Sequence, residues 1–215
     1  MPEINIRRFD KKDRVFVRQL CCETAFSGLP VENFFEGREI IADLLTMYHT
    51  DYEPESVFIA EVDGVRAGYL TGNKNIKRKK RIFNIRILPV VLRKTFFKGI
   101  LFKRKNLIFL LNCIRSFFRQ ELFEADFSKQ YPATLHINID FRYRGMGIGE
   151  KLIEHYCEHL RKVNVKGIHL STVSERAAGF FQKNGFIILH RREISYFAHI
   201  SSENLFRFTL GKKLF

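Results

Sequence analysis

The stretch Thr134–Glu150 reads TLHINIDFRYRGMGIGE, and its two halves follow different rules. From Thr134 to Asp140 polar and apolar residues alternate. Leu135, Ile137 and Ile139 fall on one side and Thr134, His136, Asn138 and Asp140 on the other, the period of a strand with one buried face. From Arg144 onward Gly145, Gly147 and Gly149 occupy alternate positions and open a helical pattern that runs to about Lys162, with Leu152, Ile153, Tyr156, Cys157 and Leu160 on its inner side. Glycines let the backbone curl tightly and approach a ligand that a Cβ would obstruct. The N–H groups of a helix's first turn have no partner inside it, and the positive end of the helix dipole lies there too. Strand, glycine bend and helix together make a cradle suited to a pyrophosphate.

Two familiar phosphate loops fit this bend poorly. A dinucleotide fold wants GxGxxG after its first strand and an acid about 20 residues later. Here the spacing is GxGxG, it lies two-thirds along the chain, and Val163–Gly167 holds no acid. A nucleotide-triphosphate loop needs GxxxxGK followed by Ser or Thr, and Gly149-Glu150-Lys151-Leu152 does not supply it.

Working outward, Ile4–Arg8 alternates as a strand, and Asp10 is placed to cap a helix reaching about Cys22. Past Gly28 and Pro30, a second helix over about Arg38–Tyr48 carries Ile40, Ile41, Leu44, Leu45 and Tyr48 on one face. Ser56–Val62 and Ala67–Thr71 read as strands joined by Asp63-Gly64, a hairpin signal. Downstream, Gly167–Val173 is a strand, Glu175–Lys183 a short helix stopped at Asn184-Gly185, and Phe186–Ile194 with Leu205–Leu210 an antiparallel pair. The order implies an α/β (α+β) fold with a mixed sheet.

Between these halves the composition changes. The chain of 215 residues carries a net charge of +14, and residues 74–130 alone hold 16 Lys+Arg against 3 Asp+Glu. Apolar residues recur among these charges: Phe96, Phe97, Ile100 and Leu101, then Leu107, Phe109, Leu110, Leu111, Ile114, Phe117 and Phe118. The spacing predicts two amphipathic helices joined near Lys103–Asn106, an insertion that buries its stripe on the main body. A membrane-surface helix has the same pattern, but a membrane surface is not expected as a partner. Nor is nucleic acid, since no recognisable binding motif accompanies the basic run Lys77–Arg81.

The longest uncharged apolar run, Asn106–Ile114, has nine residues, short of the ~20 of a spanning helix. The start MPEINIRRFDKKD lacks an apolar signal core, and Cys21, Cys22, Cys113 and Cys157 form no CxxC pair or disulfide spacing. A cytoplasmic, metal-free protein is expected, monomeric or homodimeric.

Arg144-x-x-Gly147-x-Gly149 after an apolar strand resembles the GNAT superfamily of acyl-CoA N-acyltransferases, whose signature is Arg/Gln-x-x-Gly-x-Gly/Ala. Ala177, Phe180-Phe181 and Gly185-Phe186 are similar to the family's A-x-x-aromatic-aromatic-x-x-x-G-F, and Phe208–Leu214 to its last strand. Tyr131–Ile137 with Gly167–Ser171 looks most like the subgroup of acetyltransferase-like domains attached to some O-GlcNAc hydrolases. The resemblance covers roughly residues 1–73 and 131–215. It implies a mostly antiparallel sheet of six to seven strands with a splayed central pair and flanking helices, in one domain over residues 1–215 with the insertion at about 74–130.

The resemblance further implies acetyl-CoA as co-substrate, its pyrophosphate on the backbone of Arg144, Gly145, Met146, Gly147, Ile148, Gly149 and Glu150. The strand end Ile139, Asp140 and Phe141 would line the pantetheine arm, with Ser174 and Phe181 nearby. The implied reaction is acetyl transfer to an amine of a small-molecule or peptide acceptor by direct attack. The alternative is a non-catalytic module that binds coenzyme A or an anionic partner on the same fold. A lysine-type amine is neutral in only about one molecule in 2,500 at pH 7, so a base helps. His136 and Asn138 on the strand's polar face, and Tyr131, are the catalytic candidates, and His169 on the adjoining strand could face His136. Many relatives carry a tyrosine acid where this chain has Phe181, which cannot protonate a thiolate; Tyr196 or a water could substitute. The basic insertion, set between the third and fourth strands, would roof the acceptor side and favour an anionic acceptor.

Overall fold

The computed structural model describes residues 2–26, 28–123, 125–197, 199–200 and 205–215. Its seven strands are β1 (Ile4–Arg8), β2 (Val57–Val62), β3 (Val65–Asn73), β4 (Ala133–Ile139), β5 (Gly167–Thr172), β6 (Ile187–Ile194) and β7 (Leu205–Lys213), in sheet order β1-β2-β3-β4-β5-β7-β6. Every neighbouring pair is antiparallel except β4 with β5. The helices are α1 (Arg14–Glu23), α2 (Arg38–Asp51), α3 (Ile76–Ile82), α4 (Leu88–Phe97), α5 (Arg104–Phe118), α6 (Ile148–Lys162) and α7 (Glu175–Lys183). The mixed, mostly antiparallel sheet agrees with the sequence expectation.

Local chemistry sets the boundaries. Asp10 and Asp13 form a capping box ahead of α1, and the buried Asp13 carboxylate also takes Arg7 (2.6 Å) and Arg66 (2.8 Å), tying β1 and β3 to the helix start. Asp63 and Gly64 both adopt positive φ, the type I′ geometry that matches strand twist. At the end of α7 the Phe186 N–H donates to the Phe181 carbonyl (3.1 Å) and that of Gly185 to Gln182 (3.0 Å). The Phe181 and Phe186 rings meet at 5.4 Å, completing a Schellman stop with its apolar contact.

The largest core lies between the sheet and α6 with α7, and includes Leu135, Leu152, Tyr156, Ile168, Leu170, Phe181 and Leu210. On the opposite face α1 covers Ile59 and Tyr69, while α2, Ile87 and Val91 share an aromatic cluster with Phe26, Phe34 and Phe35.

The insertion differs from expectation in two respects. The run Lys77–Arg81 is itself helical, inside α3, because Asn75 Oδ1 accepts from the N–H groups of Lys77 (2.9 Å) and Arg78 (3.1 Å). A π turn, Phe83–Ile87, carries α3 into α4, and the break before α5 falls at Lys98–Lys103, where Gly99 takes a left-handed φ of 62°. Second, apart from Phe109, which packs on Phe34 and Phe35, the apolar stripe of α5 is not buried on the main body. Leu107, Leu110, Leu111, Ile114, Phe117 and Phe118 are all exposed, because polar contacts on the other side of the helix set its rotation.

Candidate active site

The site begins where the sheet comes apart. β4 and β5 pair only at Ala133↔Ile168 and Thr134↔His169, while β4 stays paired to β3 from Asn73↔Thr134 through Gly68↔Ile139. Beyond Thr134 the β5-facing main chain of β4 has no strand partner, so its peptide groups line a wedge. The Tyr156 hydroxyl, from α6, lies 2.9 Å from the carbonyls of both Asn73 and Thr134, pinning β3 to β4 where the opening starts. Gly72 makes this possible, since a Cβ there would fall inside the Tyr156 ring.

The glycine bend sits at the open end. Asp140 Oδ1 accepts from the Arg142 N–H (3.0 Å), and Asp140 Oδ2 pairs with Arg142 Nη2 (2.7 Å). Gly145 and Gly147 have φ of 84° and 78°, a left-handed backbone that side chains resist, with open space where a Cβ would stand. Among the described residues, no protein acceptor meets the N–H groups from Gly145 to Glu150. They converge on the start of α6 with its dipole, so the residues present fit a diphosphate. Arg144 Nε donates to the Ile139 carbonyl (3.2 Å), and its guanidinium lies against Gly28. A groove of about 270 Å³ opens beside it, between Leu20, Thr24, Phe141 and Arg142.

On the α1/α2 face, β4 presents His136 and Asn138. Asn138 is buried and its Nδ2 donates to the Tyr69 hydroxyl (2.7 Å). His136 is solvent-accessible, with the Lys79 ammonium of α3 nearby. Desolvation and the nearby Lys79 ammonium bring its pKa down to about 4, against a hydrogen bond with Asn138 that raises it. The imidazole is therefore neutral at physiological pH.

Two residues that the sequence did not single out complete this face. His49, buried on α2, has Nδ1 2.8 Å from the Gly72 carbonyl and Nε2 3.1 Å from Lys79 Nζ of α3. A carbonyl can only accept, so Nδ1 carries the hydrogen and Nε2 accepts from lysine. Burial, then the Lys79 charge, keeps His49 well below its ordinary pKa. Burial lowers Lys79 to about 8, with Glu53 opposing. A lysine inside a basic run carries no sequence mark of such a position. Phe180, the first of the aromatic pair, packs where a Cβ on Gly149 would come within 2.7 Å of its ring.

Other expected residues are placed elsewhere. Tyr131 is buried at the far end of β4, its ring against Gly167 and Gly211, and it cannot reach the wedge. His169 does not face His136: it is in register with Thr134, and its Nδ1 lies 2.6 Å from the Tyr131 carbonyl. Phe181 is a core residue packed on Phe180 and Phe186 and is not exposed to the wedge. Asp140 organises the bend, its carboxylate paired with Arg142. Ser174 Oγ caps α7, accepting from the Ala177 N–H (3.2 Å). Tyr196 packs on Phe197 at 4.6 Å.

Residues 116–188 match the family model for the acetyltransferase (GNAT) domain. Among solved structures, the protein called SsHAT shares 22% identity and a TM-score of 0.72, with 100% of both chains covered. The polyamine N-acetyltransferase of Drosophila melanogaster shares 12% identity at a TM-score of 0.63, covering 98% of this chain and 100% of that one. The yncA protein of Salmonella typhimurium, solved with its cofactor acetyl-CoA, shares 12% identity at a TM-score of 0.59, covering 99% and 94%. The fold is shared with these proteins, and the stretch that matches the GNAT domain model contains both the splayed parallel pair and the R-x-x-G-x-G bend.

Proposed function

We propose that this protein transfers an acetyl group from acetyl-CoA to the amine of an acceptor by direct attack, with both substrates bound together. The observation that carries the reading is the wedge itself. Main chain of Leu135–Ile139 without a strand partner on its β5 side leads directly into the unpartnered amides of Gly145–Glu150. The first suits an amide-bearing pantetheine arm by strand addition and the second a diphosphate.

The acceptor enters on the His136 face, under the basic insertion, which favours an anionic small molecule or peptide. Its ammonium must lose a proton before attack. His136, at about 4, is too weak a base to take that proton alone, and it serves as a neutral hydrogen-bond acceptor. Lys79, at about 8, is better matched to the task near neutral pH. A main-chain N–H of β4 polarises the thioester carbonyl. Covalent catalysis by cysteine finds no support: Cys21 and Cys22 sit buried in α1 and Cys157 in α6, and burial pushes the Cys21 thiol up to about 12. Four unpaired thiols also support a cytoplasmic setting.

Calorimetric titration of coenzyme A into wild type and Gly147→Trp tests the cradle. Binding is expected in the first and lost in the second, with the melting temperature of the variant showing that it folds. Thiol release from acetyl-CoA across amines, amino sugars and peptides tests the chemistry. Coenzyme A binding with thiol release no faster than hydrolysis would establish the non-catalytic alternative instead.

A further inference from the structure

Helix α5 is turned inside out. Apart from Phe109, whose ring meets Phe34 at 5.3 Å, and the half-buried Cys113, the side chains it presents to the body of the protein are polar, and each is engaged. Asn106 Oδ1 accepts from the Glu36 N–H (2.7 Å), and Nδ2 donates to the carbonyls of Glu36 (2.9 Å) and Ile100 (2.7 Å). Asn112 Nδ2 lies 3.1 Å from His199, and Ser116 donates to Glu121 (2.7 Å). Contacts spaced from Asn106 to Ser116 fix the rotation of the helix along its length. The opposite face then carries Leu107, Leu111, Ile114 and Phe118 at spacings of four, three and four into solvent, Phe118 being 80% exposed. Along the preceding helical run, Ile85, Leu92 and Phe96 repeat the arrangement, and Phe97 and Phe102 at the turn between helices are 79% and 76% exposed.

Scattered exposed apolar residues are ordinary, but a continuous stripe on one helix face is a docking surface. Charge selects its occupant. From Lys74 to Phe118 there are 14 Lys+Arg and no Asp or Glu. A second copy would set this positive charge against itself, and nucleic acid gains little from leucine and phenylalanine. A bilayer with anionic headgroups satisfies both features, taking the apolar side chains at its acyl boundary and the basic ones at its surface. Among the described residues no helix is long and apolar enough to cross a membrane, so the contact lies in the surface plane.

We propose that the insertion, through the outward face of α5 and the turn Phe97–Phe102, docks this protein onto an anionic lipid surface. The expectation that membranes are not partners rested on burial of this stripe, and the stripe is exposed.

The test is flotation of the full chain with vesicles of phosphatidylcholine alone and of three parts phosphatidylcholine to one part phosphatidylglycerol. Preferential recovery with the anionic vesicles is expected. Leu111→Gln with Phe118→Gln should reduce that recovery about tenfold or more, because each side chain gives up its apolar burial. Both positions are exposed, so melting temperature and coenzyme A binding should be unchanged. Wild type failing to float, or the double variant floating as well as wild type, would overturn the proposal. So would a concentration-dependent dimer in light scattering that the same double variant disperses, which would give the face to a second copy of the chain. None of these readouts depends on acetyl transfer.

Discussion

Nε2 of His49 accepts a hydrogen bond from Lys79 Nζ at 3.1 Å, so a buried neutral imidazole holds an ammonium without neutralising it. That pairing joins helix α2 of the scaffold to helix α3 of the insertion. It keeps a lysine of lowered pKa on the face where β4 presents His136.

The pH dependence of turnover should carry this lysine's signature. Only unprotonated Lys79 can take a proton, so log kcat/KM is expected to rise with pH and level off above about 8. Lys79→Arg keeps the charge but cannot deprotonate at these pH values. It should lower kcat/KM about a hundredfold and remove the limb at about 8. A limb that survives in the variant would assign the proton to another group.

Acid stability should report on Asp13. Burial pushes its carboxyl up, but hydrogen bonds and charge from Arg7, with Arg66 and the Asp10 N–H, hold it down at about 2. A carboxyl whose pKa is depressed by folding contributes stability above its unfolded value, near 3.8, and loses it as pH falls through about 2. Asp13→Asn should cost about 2–4 kcal/mol at neutral pH, and it should flatten the fall in stability across that acid window. Chemical denaturation at stepped pH measures both.

Tyr156→Phe removes the hydroxyl that pins β3 to β4. A loss of about 1–3 kcal/mol is expected from leaving buried carbonyls of Asn73 and Thr134 short of a partner, read from urea denaturation. Coenzyme A should bind more weakly, because the strand that lines the wedge is then held less firmly.

Placing a phenol at position 181 is expected to bring no gain in turnover. Phe181 is packed between Phe180 and Phe186 in the core, so Phe181→Tyr would bury a hydroxyl there rather than aim it at a thiolate. It should cost about 1–3 kcal/mol with no gain in kcat. An increase in turnover would return this position to the active site.

Much of the scaffold was legible because its signals are local. Alternation from Thr134 to Asp140, the Asp63-Gly64 turn and the Asn184-Gly185 stop each act within a few residues, and strand and helix followed where they indicated. The glycine bend was legible for the same reason: positive φ at Gly145 and Gly147 is a property of the residue type. What failed to show was set by contacts distant in sequence. Periodicity gave α5 its apolar stripe but could not say which way it turns, which depends on Asn106 meeting Glu36 across 70 residues. Parity alone could not show whether His169 faces His136; the sheet separates just past His169 and its imidazole goes to the Tyr131 carbonyl. Lys79 acquires its lowered pKa only when α3 folds over α2.

The two-rung ladder between β4 and β5 bears on mechanics as well as on binding. With only Ala133↔Ile168 and Thr134↔His169 bridging them, the four-stranded and three-stranded halves behave as two plates glued from behind by the core beneath α6. A molecule that filled the gap with its own amides would act as mortar between those plates. The slow-exchanging amides of β5 should then become slower still when the gap is occupied, although no side chain of β5 need touch the reacting atoms.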